Sequence, residues 1–121
     1  MMQDSTSVFT VRDIAESLAY YRDRLGFAIA FEYGHPTFYA GVCRDKVTLH
    51  LISASQTPRL PGNGAVAIAV RDVDVLHVEL VTNGARVVKA PQDYDYGLRD
   101  FDVADLDGNM LYFGMESKKT E

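Results

Sequence analysis

Two hydrophobic periods divide this chain. Ile14, Leu18, Tyr21 and Leu25 recur at i, i+4, i+7 and i+11, which places them on one face of a helix. Val73, Leu76 and Leu80 form a second such face. Each helix carries its own start and stop. Asp13 is an N-cap with Glu16 three residues on, a capping box, and Gly26 ends the helix. Asp72 caps the second helix and Gly84 ends it. Elsewhere the period is two. From Arg99 to Gly114, RDFDVADLDGNMLYFG, Asp100 and Asp102 alternate with Phe101 and Val103. Met110 to Phe113 follows as a β-prone run, with Asp-Leu-Asp-Gly-Asn as the turn between.

The pattern repeats. Val8-Phe9-Thr10-Val11-Arg12-Asp13-Ile14 is echoed 59 residues later by Ala67-Ile68-Ala69-Val70-Arg71-Asp72-Val73. Strands are predicted at 28–32, 37–43 and 47–53 in the first half. In the second half they fall at 86–90, about 99–103 and 109–114. The Pro- and Gly-bearing stretch 54–64 reads as a linker, and 91–98 as a second long irregular stretch. Module 1 spans about 5–53 and module 2 about 65–115 of a single domain. Residues 118–121 read as a frayed polar tail.

The predicted fold is α+β: two βαβββ modules forming a curved mixed sheet, with helices on the convex side and a concave ligand cup. Leu49 and Leu51 then face the helix while Thr48 and His50 face the cup. In the second module Leu111 and Phe113 face the helix, and Met110 and Tyr112 the cup. His50 and Tyr112 thus hold equivalent places.

Composition narrows the function. A net charge of −5 and a pI near 5.1 disfavour a nucleic-acid partner, which wants a basic stripe. No apolar run reaches the ~18–20 residues that span a bilayer. The opening MMQDSTS lacks a basic region followed by an apolar core, so a cytoplasmic protein is expected. The single Cys43 fits a reducing compartment and reads as a small buried hydrophobe. Phosphate loops of the Walker type, G-x-G-x-x-G and G-x-S-x-G are all missing.

Three stretches carry a resemblance: VRDIAESLAYYRDRLGF (11–27), YAGVCRDKVTLHLISA (39–54) and YGLRDFDVADLDGNMLYF (96–113). Together they resemble the vicinal oxygen chelate superfamily of glyoxalases, bleomycin resistance proteins and dioxygenases, and most of all the bleomycin resistance proteins. The resemblance implies paired βαβββ modules and a homodimer whose two crevices are shared between chains. Metal-dependent members place ligands in the first and last strand of each module. Those positions fall on Thr6, His50, Ala65 and Tyr112. His50 is the only plausible metal ligand among them, and one His does not make a site. His50 otherwise reads as a hydrogen-bonded wall residue. His35 in a turn and His77 on a helix, expected exposed, do not repair the deficit. No cofactor is therefore expected.

Asp93, Asp95, Asp100, Asp102, Asp105 and Asp107 place six of the seventeen acidic residues within fifteen positions, with Arg99 the only base among them. Asp93, Asp95 and Asp105 also read as an ordinary solvated loop, and Asp107 as a turn residue. Asp102, with Asp100 on the same side of its strand, is expected to face the cup, with Tyr94 and Tyr96 at the rim. Aromatic faces beside carboxylates suit a flat or cationic ligand. The ligand-binding residues expected are His50, Tyr94, Tyr96, Asp100, Asp102, Tyr112 and Phe38, with Phe31, Tyr33 and Tyr39 as further wall. The function expected is metal-free binding of a small organic molecule, sequestering a cationic aromatic antibiotic of the bleomycin type. The alternatives are a metal-dependent lyase, isomerase or dioxygenase of the same superfamily, and a metabolite-binding module. An acid–base role for Asp100 and Asp102 is the weaker use of that pair.

Overall fold

The computed structural model describes residues 1–117; the polar tail at 118–121 lies outside the described residues. The chain runs β1 (Ser7–Val11), α1 (Ile14–Asp23), β2 (Ala28–Tyr33), β3 (Tyr39–Arg44), β4 (Val47–Ser53), β5 (Ala65–Ala69), α2 (Val73–Thr82), β6 (Arg86–Asp93), β7 (Leu98–Ala104) and β8 (Met110–Glu116). It forms two four-stranded mixed sheets of one topology, β1-β4-β3-β2 and β5-β8-β7-β6. In each, the first strand pairs parallel to the fourth and the other pairs are antiparallel. The two βαβββ modules predicted from the repeat are therefore present.

The caps form as expected. Asp13 accepts from the Glu16 amide at 3.0 Å, and Asp72 from the Val75 amide at 3.1 Å. Gly26 and Gly84 take positive φ just past their helices. Each helix lays its apolar stripe on one face of its sheet. Leu18, Tyr21, Leu49 and Leu51 are buried in one half, and Val73, Leu80, Phe101 and Phe113 in the other. Each such side chain contributes about 1.5–3 kcal/mol by leaving water. The opposite face of each sheet stays open. No helix of the described residues is long and apolar enough to cross a membrane.

Several details depart from the sequence-based expectations. The 91–98 stretch is not one long loop. β6 runs on to Asp93, and only 94–97 turn. Register shifts between Val87 and Lys89, and again between Lys89 and Gln92, let the strand continue past Pro91, which has no amide hydrogen to give a regular ladder. The first shift is matched in module 1, between Ile29 and Phe31. Cys43 is only half-buried. His77 is not exposed: its ring stands edge-on to Phe101, centroids 5.3 Å apart. The linker holds one short 3-10 turn at Ala54–Gln56.

Asp105 departs furthest from its expected place in a solvated loop. Its side chain is fully buried, and it accepts from the Tyr21 hydroxyl at 2.9 Å, the Asp107 and Asn109 amides at 2.9 Å each, and Asn109 Nδ2 at 3.0 Å. Asn109 extends the network across the modules. Its Nδ2 donates to the Thr10 carbonyl at 3.0 Å, and its Oδ1 accepts from the Gly64 amide at 2.8 Å. Burial, with the Asp105 carboxylate close by, holds the Tyr21 hydroxyl well above its ordinary pKa of 10.0.

Removing the Asp105 carboxylate leaves buried donors without an acceptor, each worth about 1–3 kcal/mol. Asp105→Ala should therefore lower unfolding free energy by about 3 kcal/mol or more, read from the urea midpoint at unchanged slope. Tyr21 adds a pH signature. The folded chain keeps its proton where the unfolded chain releases it, so its contribution is complete below pH 10 and is lost as pH rises above that. Tyr21→Phe should flatten the alkaline fall in melting temperature.

Candidate functional site

The open face of the first sheet carries an aromatic row. Cross-strand register sets Val8 beside His50, His50 beside Gly41, and Gly41 beside Phe31. The Phe31 ring lies over Gly41, where a Cβ would meet Phe31 Cε2 at 2.3 Å; only glycine admits the ring there. The His50 ring is edge-on to Phe31 at 5.3 Å and to Tyr39 at 5.4 Å. Its Nδ1 lies 2.9 Å from the Tyr39 hydroxyl, in a hydrogen bond whose donor depends on the imidazole tautomer. His50 is thus hydrogen-bonded on the open face of the sheet. Phe38 is not with it. Phe38 precedes β3 and packs edge-on against Tyr33 at the far hairpin, 5.4 Å between centroids.

The second sheet repeats the row with other chemistry. Ala67 lies beside Tyr112, Tyr112 beside Asp102, and Asp102 beside Lys89. His50 and Tyr112 hold matching places, as do Gly41 and Asp102, and Phe31 and Lys89. Asp100 and Asp102 share the open face, since the intervening Phe101 and Val103 are fully buried. Lys89 reaches both acids, with Nζ 3.0 Å from Asp100 Oδ1 and 3.8 Å from Asp102 Oδ2. It also donates to the Tyr94 hydroxyl and lies 4.4 Å from that ring's centroid. Tyr94 stacks on Tyr96 at 5.2 Å, and Tyr96 stands exposed in the 94–97 turn.

Lys89 is the residue that sequence reasoning missed. An unbroken register from Val87–Val103 would set Val88 against Asp102 and turn Lys89 toward the core. The extra residue in β6 reverses this, so Lys89 meets the acids and Val88 is exposed. A bulge leaves no compositional mark beyond the nearby Pro91. Lys89 is held protonated well above its ordinary range, first by its bond to Tyr94 and then by Asp100 and Asp102. Burial pushes the Asp102 carboxyl above its ordinary value, against the opposing pull of Lys89, while Asp100 adds to the rise.

The acidic run of 93–107 is consequently not one cation-hungry patch. Asp93 pairs with Arg99 at 3.4 Å, and Arg99 turns away to Asp74 at 2.7 Å. Asp107 binds Arg12 at 2.9 Å. Asp105 is buried with Tyr21 and Asn109. Asp95 stays on the exposed turn. Two carboxylates against one ammonium remain on the open face, a local excess of one negative charge. Among the described residues, no three His, Cys, Asp or Glu side chains converge to hold an ion. No ring contact or hydrogen bond among the described residues joins the His50 row to the Asp102 row.

Removing Lys89 takes away the charge that opposes the upward push on Asp102. In Lys89→Met the Asp102 carboxyl should titrate at higher pH than in the native chain, as followed by carbon NMR of its carboxyl group. An unchanged midpoint would mean that Lys89 does not act on Asp102 in solution.

Comparison with known proteins bears on this geometry. Among curated proteins none matches the sequence. A structure of a superfamily member from Sphaerobacter thermophilus superposes with a TM-score of 0.81 at 23% identity, covering 96% of this chain and 98% of that one. TioX from Micromonospora sp. ML1 gives 0.80 at 18% identity, covering 95% and 99%. The bleomycin-binding protein of bleomycin-producing Streptomyces verticillus, solved with copper(II)-bleomycin, gives 0.78 at 24% identity, covering 98% of each chain. At these identities the likeness establishes the fold. The family model for the Glyoxalase/Bleomycin resistance protein/Dioxygenase superfamily matches residues 5–113, so with its paired βαβββ modules the chain belongs to that superfamily.

Proposed function

We propose that this protein binds a small organic molecule carrying a cationic group and flat rings, without turning it over, and sequesters it in the cytoplasm. The observation that carries this is the Asp100–Asp102 pair on an open sheet face, one negative charge in excess after Lys89, beside Tyr112 and the stacked Tyr94 and Tyr96. A ligand cation would gain from carboxylates partly withdrawn from water. It would also gain about 0.5–2 kcal/mol from each well-placed ring face. The S. verticillus relative supplies an antibiotic of this class as the first probe.

The two rows suggest how a crevice is completed. Phe31, Tyr39 and His50 form one wall and the Asp102 row another, and neither encloses a ligand alone. We propose a homodimer in which the first wall of one protomer faces the second wall of its partner, giving two equivalent crevices. The strand pairing also supports a metal-free reading: Val8 rather than Thr6 lies beside His50, Ala67 rather than Ala65 lies beside Tyr112, and of these four paired positions His50 alone is a strong ligand for a divalent ion.

Calorimetry with metal-free and copper-loaded bleomycin tests the assignment. Asp102→Asn should weaken binding about tenfold or more, since charge-assisted bonds are worth about 1.5–3 kcal/mol. Tyr96→Ala should also weaken binding and leave the melting temperature unchanged, because Tyr96 is exposed. Equal affinity in Asp102→Asn would remove the acidic face from the site. Elemental analysis should give far less than one metal per chain; about one zinc, nickel, manganese or iron would favour a metal-dependent lyase, isomerase or dioxygenase. Sedimentation should give the mass of two chains.

A further inference from the structure

The two modules share one strand order, and the two sides of their junction are filled differently. On one side the β7–β8 turn, residues 105–109, packs against the end of β1 and the face of α1. Asp107 accepts from the Arg12 amide at 3.1 Å and from its guanidinium at 2.9 Å. Tyr20 donates to the Ala104 carbonyl at 2.7 Å, and Tyr21 donates to Asp105. On the other side the matching turn is β3–β4, only Asp45-Lys46, set against β5 and α2. It is three residues shorter, and what the long turn fills remains an open cleft of about 810 Å³.

The repeat tells which groups are left over. Arg71 is the counterpart of Arg12, 59 residues on, and Glu79 and Leu80 are the counterparts of Tyr20 and Tyr21. Glu79 is engaged: it takes both arms of Arg44 at 2.7 and 2.8 Å. Arg71 is not. Neither its amide nor its guanidinium has an acceptor among the described residues, where Arg12 has Asp107 for both. Lys46 likewise lines the cleft without an acid partner among the described residues. Of the remaining carboxylates, Asp72 is taken by the α2 cap and Asp45 lies beside Arg44. The walls are apolar and come from both cores: Leu25, Phe27, Ile68, Leu76, Leu80 and Phe113.

We propose that this cleft is a second ligand site, separate from the open sheet faces, for a small molecule with one carboxylate on an apolar body. The carboxylate takes at Arg71 the place that Asp107 takes at Arg12, with Lys46 close by. The apolar body covers the wall that the long turn covers on the other side. The volume lies within the range of about 300–1,000 Å³ usual for small-molecule sites, and an apolar lining with a few convergent polar groups is their common character. An arginine is suited to the task, since its planar fork holds a carboxylate in two bonds.

Octanoate, 2-naphthoate and the uncharged octan-1-ol test this, by calorimetry and by amide NMR shifts on the full chain. Binding of either carboxylate should shift the amides of residues 45–47 and 68–76; which of the two binds more tightly separates a chain from a ring as the apolar body. Arg71→Gln should weaken the carboxylate at least tenfold, and Arg71→Lys should recover part of that loss. Octan-1-ol should bind native chain and Arg71→Gln alike, at least tenfold more weakly than octanoate binds the native chain. Arg71 is exposed and has no hydrogen bond or ion pair to lose among the described residues, so its variants should keep the native melting temperature. Binding of neither carboxylate, equal affinity in Arg71→Gln, or alcohol binding as tight as octanoate would overturn the proposal. So would shifts confined to the His50 and Tyr112 faces, or amide shifts that grow with protein concentration alone, which would make the cleft a contact between copies.

Discussion

The contact on which the rest of this structure depends is the buried carboxylate of Asp105. A charge wholly out of water is costly unless donors surround it. Here a tyrosine hydroxyl, two main-chain amides and an asparagine amide do so. The amides shape the β7–β8 turn around the carboxylate. Tyr21 belongs to the other module, and Asn109 reaches Thr10 and Gly64. The modules also share one apolar core and the hydrogen bonds of Tyr20 with Ala104 and Arg86, and the irregular segment 54–64 links them along the chain. Apolar surfaces alone would let the modules slide; a network in which every bond has a direction gives them one registry.

The same network explains an asymmetry in an otherwise repeated frame. The modules share strand order, helix caps and even the bulge in the strand after the helix. They differ in the length of one hairpin turn. Where the turn is long, it fills the junction and satisfies Arg12. Where it is short, the junction stays open beside Arg71, and Arg44 bridges to Glu79 instead. The two frames share one topology, and a three-residue difference in turn length leaves one junction filled and the other hollow.

The open faces differ in a similar way. Matching positions carry Phe31, Gly41 and His50 in one sheet and Lys89, Asp102 and Tyr112 in the other. One row is aromatic with a single hydrogen-bonded imidazole. The other is charged and internally bridged, so Lys89 sits where an incoming cation would otherwise be drawn. A ligand that engages Asp102 must share the carboxylates with that ammonium. Under the proposed function, selectivity would depend on how well the ligand's rings and charge together replace what Lys89 and Tyr94 give.

The sequence by itself determined the frame. The 3.6 period of Ile14 to Leu25, the Asp caps, the closing glycines and the 59-residue echo of Val-Arg-Asp are local or self-referential signals, and each survives into the fold. So do the open-face placements of His50, Asp100, Asp102 and Tyr112, because alternation along a strand is local geometry. The tertiary structure decided what these groups meet. Phe38 went to a hairpin end because its strand starts at Tyr39, two residues later than the pattern placed it, and Lys89 came to Asp102 because one extra residue in β6 reverses the faces there, until the second shift before Gln92 restores them. Asp105 left the solvent because Tyr21 and Asn109, 84 positions before it and four after, offer donors that only packing assembles. Strand parity is a short-range property and can be read along the chain. A bulge, a buried carboxylate and an empty junction depend on which distant donors and side chains arrive, and sequence spacing carries no record of that.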